Sequence, residues 1–193
     1  MFNRGLTEEN IVRQQGEIRQ LNRELEGISL LHGIECGIDE NGKPDLPSRV
    51  LKDFDLVIAG VHDGLRMHGD EMTTRIISAL HNENIDIIGH PTGRILLQRE
   101  PAELDLPMIF GAARESQVVL EINGNPARLD LSDINCRKAK EFGVSFSLCS
   151  DANGTTDLQQ IELSTGTARR GWFTAEEIIN TRPLAGVRTW LLR

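Results

Sequence analysis

The chain has 193 residues, about one domain's length, and at 39% hydrophobic and 26% charged residues it excludes a disordered tail, a collagen-like rod and a coiled coil. Its 21 Lys+Arg against 29 Asp+Glu, net −8, exclude nucleic-acid binding by a broad basic face and suit an acid-rich site for metal cations. Three scattered cysteines, Cys36, Cys136 and Cys149, with no CxxC pair, exclude a disulfide framework and a structural zinc finger.

In chain order, Met1 to Glu9 lacks the apolar stretch of a signal peptide, and a cytosolic protein is expected. Thr7 to Leu25 reads as the first helix, with Thr7 as N-cap, Glu8 and Glu9 in the first turn, and Ile11, Ile18, Leu21 and Leu25 on one face. Five apolar runs follow, Ile28 to Ile34, Leu56 to Val61, Ile85 to Gly89, Val118 to Ile122 and Ser145 to Cys149. They are continuous rather than alternating, as fully buried parallel strands are, and far shorter than the ~20 residues that cross a bilayer. Between them Asp70 is expected to cap a helix bearing Met72, Ile76, Ile77 and Leu80, and Asp105 one bearing Met108, Ile109 and Ala112. Ser132 or Asp133 starts another, which Gly143 stops. Thr156 to Leu163, Thr174 to Asn180 and Leu184 to Leu192 read as C-terminal helices.

Glu35, His62, His90, Glu121 and Asp151 fall at or just beyond the ends of these runs, with successive gaps of 27, 28, 31 and 30 residues. About 30 residues is one βα unit, so in a (β/α) barrel these side chains converge on the face that carries the chemistry. Two imidazoles and two or three carboxylates there suit Zn²⁺, Mn²⁺ or Fe²⁺, and a metal site of this kind suits phosphate-ester hydrolysis. His32, His68 and His81 stand outside this rhythm and read as surface or core residues.

The phrases GIECGI (33–38), DLVIAGVHDGLRM (55–67), DIIGHPTGR (86–94), LEINGNPARLDLSD (120–133), SFSLCSDAN (145–153) and ARRGWFTAEEIINTRP (168–183) resemble, in order and across essentially the whole chain, the PHP (polymerase and histidinol phosphatase) domain. The resemblance is closest to the C-terminal PHP domain of bacterial and archaeal family X DNA polymerases. It implies a distorted barrel of about seven strands with a trinuclear metal cluster at the strand ends, and a manganese-dependent 3′ to 5′ exonuclease or related 3′-end phosphoesterase activity. On this resemblance Glu35 bridges two metals, His62 and His90 complete one site, and Asp151 binds another.

The sequence also departs from the family. The His-x-His opening and a further His belong to strands ahead of the region where this chain begins, and Asn153 stands where a ligand His is expected. The expectation is therefore a single truncated PHP domain over residues 1–193: an α/β, incomplete (β/α)7 TIM-like barrel lacking the first strands and holding one strongly bound divalent ion. Its phosphoesterase activity is expected to be weak or absent alone, with DNA 3′ ends or a phosphate ester as substrate and a polymerase partner needed. The alternatives are a non-catalytic remnant or polymerase-partner module, and a small-molecule phosphatase of the histidinol-phosphate type. Arg94, Arg169 and Arg170 are candidates for a phosphate contact or ion-paired surface residues. Asn123 and Asn125 line the mouth or simply form a turn, Glu121 braces the barrel, and Cys36 and Cys149 are small core residues. An opened barrel exposes the edge of Ile28 to Ile34, so a homodimer across the gap or pairing with a separate segment is expected, unless the first helix covers the opening.

Overall fold

The computed structural model describes residues 7–192; the expectation drawn from Met1 to Leu6 lies outside them. Five parallel strands follow one another in spatial order, β1 (Gly33–Gly37), β2 (Leu56–Gly60), β3 (Ile87–Ile88), β4 (Val119–Asn123) and β5 (Phe146–Cys149). Sequential parallel neighbours make this an arc of a TIM-like barrel, and the sheet is not closed. Helices α1 (Glu8–Glu24), α2 (Ser48–Leu51), α3 (Gly69–Leu80), α4 (Leu106–Ser116), α5 (Asp133–Glu141), α6 (Ile161–Arg170) and α7 (Leu184–Leu191) accompany it. No described helix is long and apolar enough to cross a membrane.

The register divides the sheet into two faces. Val57, Ala59, Ile88, Leu120 and Ile122 enter one large core with Met72, Ile76, Ala79 and Leu80 of α3 and with Ile109 and Ala113 of α4. Glu35, Ile58, Ile87 and Val119 lie in register across β1 to β4 and so share the opposite face. Its apolar part, Ile87 and Val119 with Ile58, is closed by Ile179 and by Val187 and Trp190 of α7. Two residues further along, Gly37 pairs with Gly60, and Gly89 follows β3. Small residues at this level leave room above the apolar layer for larger side chains.

Helix caps follow the sequence closely. The hydroxyl of Thr7 accepts from Asn10 N at 3.1 Å, Asp105 caps α4 through Met108 N at 3.0 Å, and Ser132 caps α5 through Asn135 N at 3.3 Å. Gly143, at φ +71°, follows the last turn of α5. Asp70 does not cap; α3 begins one residue earlier, His68 holds the cap position, and Asp70 sits in the first turn. Met108 is exposed, and α3 also buries Thr73, Arg75 and Ala79, which carried no sequence-based expectation of burial; Arg75 is 1% exposed.

Four further expectations need correction. The first strand is Gly33–Gly37 rather than Ile28 to Ile34, because pairing begins only where Gly33 meets Leu56. Upstream of it, the amide of Asn22 brackets Leu30, accepting its N–H at 2.7 Å and donating to its carbonyl at 2.9 Å. That side chain occupies both backbone groups of Leu30, so the expected run of bare edge is covered there. The apolar face drawn for α1 is buried only at Ile11; Leu21 and Leu25 are exposed, and polar contacts hold the helix, Arg49 to Glu8 at 3.0 Å and Gln15 to the Asp53 carbonyl at 3.2 Å.

The last two corrections lie in the C-terminal part. Thr156 to Leu163 is a 3₁₀ helix over Thr155–Gln160 that runs into α6. Thr174 to Asn180 is not a helix. Phe146 N donates to the Glu177 carbonyl at 2.8 Å, Ile178 bridges Phe146 in parallel, and Asn180 brackets Leu148 at 2.7 and 3.0 Å as Asn22 brackets Leu30. Ile178, in extended backbone, and Ile179, which opens a 3₁₀ turn over Ile179–Thr181, enter different cores. Asn180→Leu removes two backbone partners at the β5 edge and is expected to destabilise the fold by about 1–3 kcal/mol, read as a lower urea midpoint with unchanged slope.

Candidate metal centre

Glu35 lies in the middle of β1 rather than at its end, on the face it shares with Ile58 and Ile87. His62 follows β2 by two residues and His90 follows β3 by two. The Glu35 carboxylate oxygen Oε1 is 3.0 Å from His62 Nε2 and 3.0 Å from His90 Nε2. One donor atom from each of the three residues falls within 4.8 Å of the others. Glu35 and His62 are half exposed, whereas His90 is 5% exposed. The two imidazole bonds, His62 before His90, hold the Glu35 carboxyl far below the usual carboxylate range against the opposing effect of burial.

Three supports build this geometry. Gly60 forms the floor: a methyl group there would lie 2.8 Å from His90 Cε1 and 3.0 Å from His62 Nε2. His90 adopts φ +30°, a strained value for an L residue, and the buried carboxylate of Glu121 accepts its backbone N–H at 2.5 Å. Burial alone would drive the His90 pKa down, but the Glu35 bond and the Glu121 charge outweigh it and raise the pKa. Burial, opposed by the His90 N–H bond, raises the Glu121 carboxyl. Glu121 thus braces, as its sequence position suggested. Gly60→Ala is expected to displace both imidazoles and weaken metal binding at least about tenfold, while titration of Gly33→Ala, whose added methyl would meet only Leu56 atoms, is expected to show the smaller loss.

The donor set fits a divalent transition ion. It offers two imidazole nitrogens and one carboxylate kept anionic, on separate neighbouring strands. The Nδ1 atom of buried His90 has no hydrogen-bond partner, so this ring retains a free nitrogen at the site.

Sequence reasoning missed Asp45, in the loop after β1. Its Oδ1 accepts Gly37 N at 3.1 Å, and a methyl group on Gly37 would lie 3.0 Å from Asp45 Oδ2 and 3.6 Å from His62 Nδ1. Asp45 and His62 thus both flank Gly37; burial pushes the Asp45 carboxyl up. The loop's irregular backbone gives no periodic signal that would single it out.

The remaining candidates are placed as follows. Asp151, at φ +54°, does not join the three ligands; its Oδ2 lies 3.6 Å from Arg128 Nε and accepts from Asn125 at 3.2 Å. Asn153 is exposed and reaches the Asp151 carbonyl at 3.4 Å. Arg94 is committed to the carbonyls of Arg128, at 2.9 Å, and Leu129, so it braces the turn that carries Asp151's partner. Asn123 is fully buried, donating to Glu121 at 3.2 Å and accepting from Asn125 N at 2.9 Å. Arg170 pairs with Asp133 of α5 at 3.1 Å; Arg169 is exposed, with no side-chain bond among the described residues. Burial, with Asp45 and Glu35, pushes the Cys36 thiol up to about 12, which fits an unreactive core residue.

The chain is 36% identical over 189 residues to the DNA polymerase/3′-5′ exonuclease PolX of Bacillus subtilis (strain 168), covering 98% of this chain and 33% of that protein. It is 34% identical over 176 residues to a probable phosphatase of Thermoanaerobacter sp. (strain X514), covering 86% of this chain and 69% of that protein. A chain in the cryo-EM structure of archaeal Ribonuclease P with mature tRNA superposes with a TM-score of 0.55 over 95% of this chain and 85% of that one, at 13% identity; this likeness shows the fold alone. No family model matches. The chain belongs to the PHP family, in which it is similar to the PHP domain of family X polymerases and to these probable phosphatases.

Proposed function

We propose that the chain is a divalent-metal-dependent phosphoesterase domain of the 3′-5′ exonuclease and 3′-end phosphoesterase type. The observation that supports this reading is the convergence of His62 and His90 on one oxygen of Glu35, 3.0 Å from each. One ion, Mn²⁺, Zn²⁺ or Fe²⁺, is held by Glu35, His62 and His90. When bound, it neutralises phosphoryl oxygens and makes hydroxide available from water near neutral pH.

The protein's own groups set the conditions for that chemistry. Glu35 stays anionic, Glu121 fixes the backbone that aims His90, and Gly60 leaves space for both rings. Overall, the water oxygen bonds to phosphorus, the P–O ester bond breaks, and the alcohol departs carrying a proton. Asp151 is a further ligand position, and because it is paired with Arg128 turnover by the chain alone is expected to be weak. The substrate is a DNA 3′ end or a related phosphate ester, met in the cytoplasm and with a polymerase partner; a second copy of the chain across the open sheet makes a homodimer, which sedimentation at micromolar concentration would show and a 21.5 kDa monomer would contradict.

The small-molecule phosphatase reading is favoured by the probable phosphatases among the relatives. Assaying the manganese-loaded chain on a 3′-ended oligonucleotide and on a small phosphomonoester separates the two. Turnover of the oligonucleotide that His62→Ala abolishes supports the proposal; turnover of the monoester alone supports the phosphatase, and none with any metal overturns both. Because imidazole ligands must be neutral to bind and the His90 pKa is raised above the ordinary histidine value, metal affinity is expected to fall as the pH is lowered, measured by calorimetry over a series of pH values.

A further inference from the structure

A cavity of about 370 Å³ opens where the chain passes from α4 into β4 and from α5 into β5. Its Val118 and Ser145 precede β4 and β5, whereas His62 and His90 follow β2 and β3. In a parallel sheet the cavity and the metal centre therefore lie at opposite ends of the strands. The size falls within the ~300–1,000 Å³ of small-molecule sites.

The lining is cationic. Arg114 comes from the last turn of α4, and Arg182 from the segment just ahead of α7. Neither has a side-chain hydrogen bond or ion pair among the described residues. No carboxylate is among the described residues that line the cavity, in a chain of net −8. The groove that starts at His62, by contrast, carries Glu100 and Glu103. Arg114 is placed by the turn after α5, where a methyl group on Gly143 would lie 3.4 Å from its Nε.

The remaining polar side chains are uncommitted as well. Neither Gln117 nor half-buried Ser145 makes a side-chain hydrogen bond among the described residues. Gln117 holds φ +60° at the end of α4, a left-handed position where glycine is the usual residue. The backbone there is costly for a residue with a Cβ, yet it keeps an amide at the cavity. Buried Val118 and Trp190 of α7 supply the apolar lining. A guanidinium presents a planar fork of N–H donors that matches the oxygens of a phosphate or a carboxylate. Two such forks, an amide and a hydroxyl around an acid-free cavity favour an oxyanion and disfavour a cation.

We propose that this cavity is a second, non-catalytic site for a small oxyanion of the phosphate or dicarboxylate class. Arg114 and Arg182 bind the anionic oxygens, and Gln117 and Ser145 donate further hydrogen bonds. The site shares no residue with the metal centre, so it binds its anion whether or not the chain hydrolyses an ester.

Calorimetric titration of the metal-free chain with inorganic phosphate and, separately, with succinate tests this. The same titrations are run on Arg114→Gln, on Arg182→Gln and on Arg188→Gln, which removes an exposed α7 arginine outside the cavity. Both cavity arginines are exposed, so the variants should fold, which circular dichroism checks. Affinity for the anion that binds is expected to fall about tenfold in each cavity variant and to hold in Arg188→Gln. A fall of about threefold or more in both cavity variants, without one in Arg188→Gln, supports the site. A smaller fall in either cavity variant overturns it. So does an equal fall in Arg188→Gln, which marks diffuse charge, or no binding of either anion by the parent at millimolar concentration. Within a supporting result, binding of phosphate alone names the phosphate class, of succinate alone the dicarboxylate class, and of both the shared oxyanion chemistry.

Discussion

Arg75→Met is expected to cost about 3–5 kcal/mol, at about 1–3 kcal/mol for each carbonyl left without its donor, a large share of the ~5–15 kcal/mol that holds a domain together, and so to leave the chain partly unfolded at 37 °C. Arg75 is 1% exposed. Its Nε donates to the Asp39 carbonyl at 2.8 Å, Nη1 to the Asp63 carbonyl at 2.9 Å, and Nη2 to the Ile38 carbonyl at 2.6 Å and to Asp63 Oδ1 at 2.7 Å. Methionine fills similar volume but supplies no donor, so these carbonyls lose their partners. The loops it joins are those that leave β1 and β2, and Asp63 directly follows His62. Gly42, at φ +77°, packs the first loop on the same helix turn: a methyl group there would lie 2.2 Å from the Arg75 carbonyl. The variant therefore loosens His62 as well as the fold. Urea denaturation reads the first effect, and metal titration of the folded fraction reads the second. Arg75→Lys keeps the charge without the planar fork and should fall between parent and Met; a Met variant as stable as the parent would show that these bonds contribute nothing net.

Glu35→Gln is expected to lower metal affinity and any metal-dependent turnover by at least about 100-fold while changing thermal stability little. The amide keeps the shape of the carboxylate and can still hydrogen-bond, but it removes the only negative charge among the three ligands. The two imidazoles hold that charge in place over a wide pH range, so the loss should appear at every pH where the parent binds. Parent protein at metal concentrations of 100 times Kd should gain about 2.7 kcal/mol of stability; the Gln variant should gain none under the same conditions. A variant that keeps the metal-dependent gain would place the ion elsewhere.

The strand order was legible because β2 to β5 lie in or overlap short continuous apolar runs, and the ~30-residue spacing carried Glu35, His62 and His90 to one place. The start of β1 was not legible, since it depends on where Leu56 offers a partner and on Asn22 capping Leu30. Residues 174–180 carry helix-like spacing, yet the free edge of β5 takes Ile178 as a parallel bridge partner, and only a short 3₁₀ turn over Ile179–Thr181 follows. Asp151 fits the spacing as well as His90 does. What separates them is Arg128, 23 residues upstream, which only the folded turn braced by Arg94 brings beside Asp151. The role of Gly60 was equally hidden, because a glycine in a strand says nothing of the two rings that close over it.

Whether Glu35, His62 and His90 hold a divalent ion is decided by calorimetric titration of the metal-free chain with Mn²⁺, alongside the His62→Ala and His90→Ala variants. One tight site per chain is expected in the parent and its loss in either variant, with the fold retained by circular dichroism. Equal Mn²⁺ binding by parent and variants, or no binding by the parent at millimolar Mn²⁺, would contradict it.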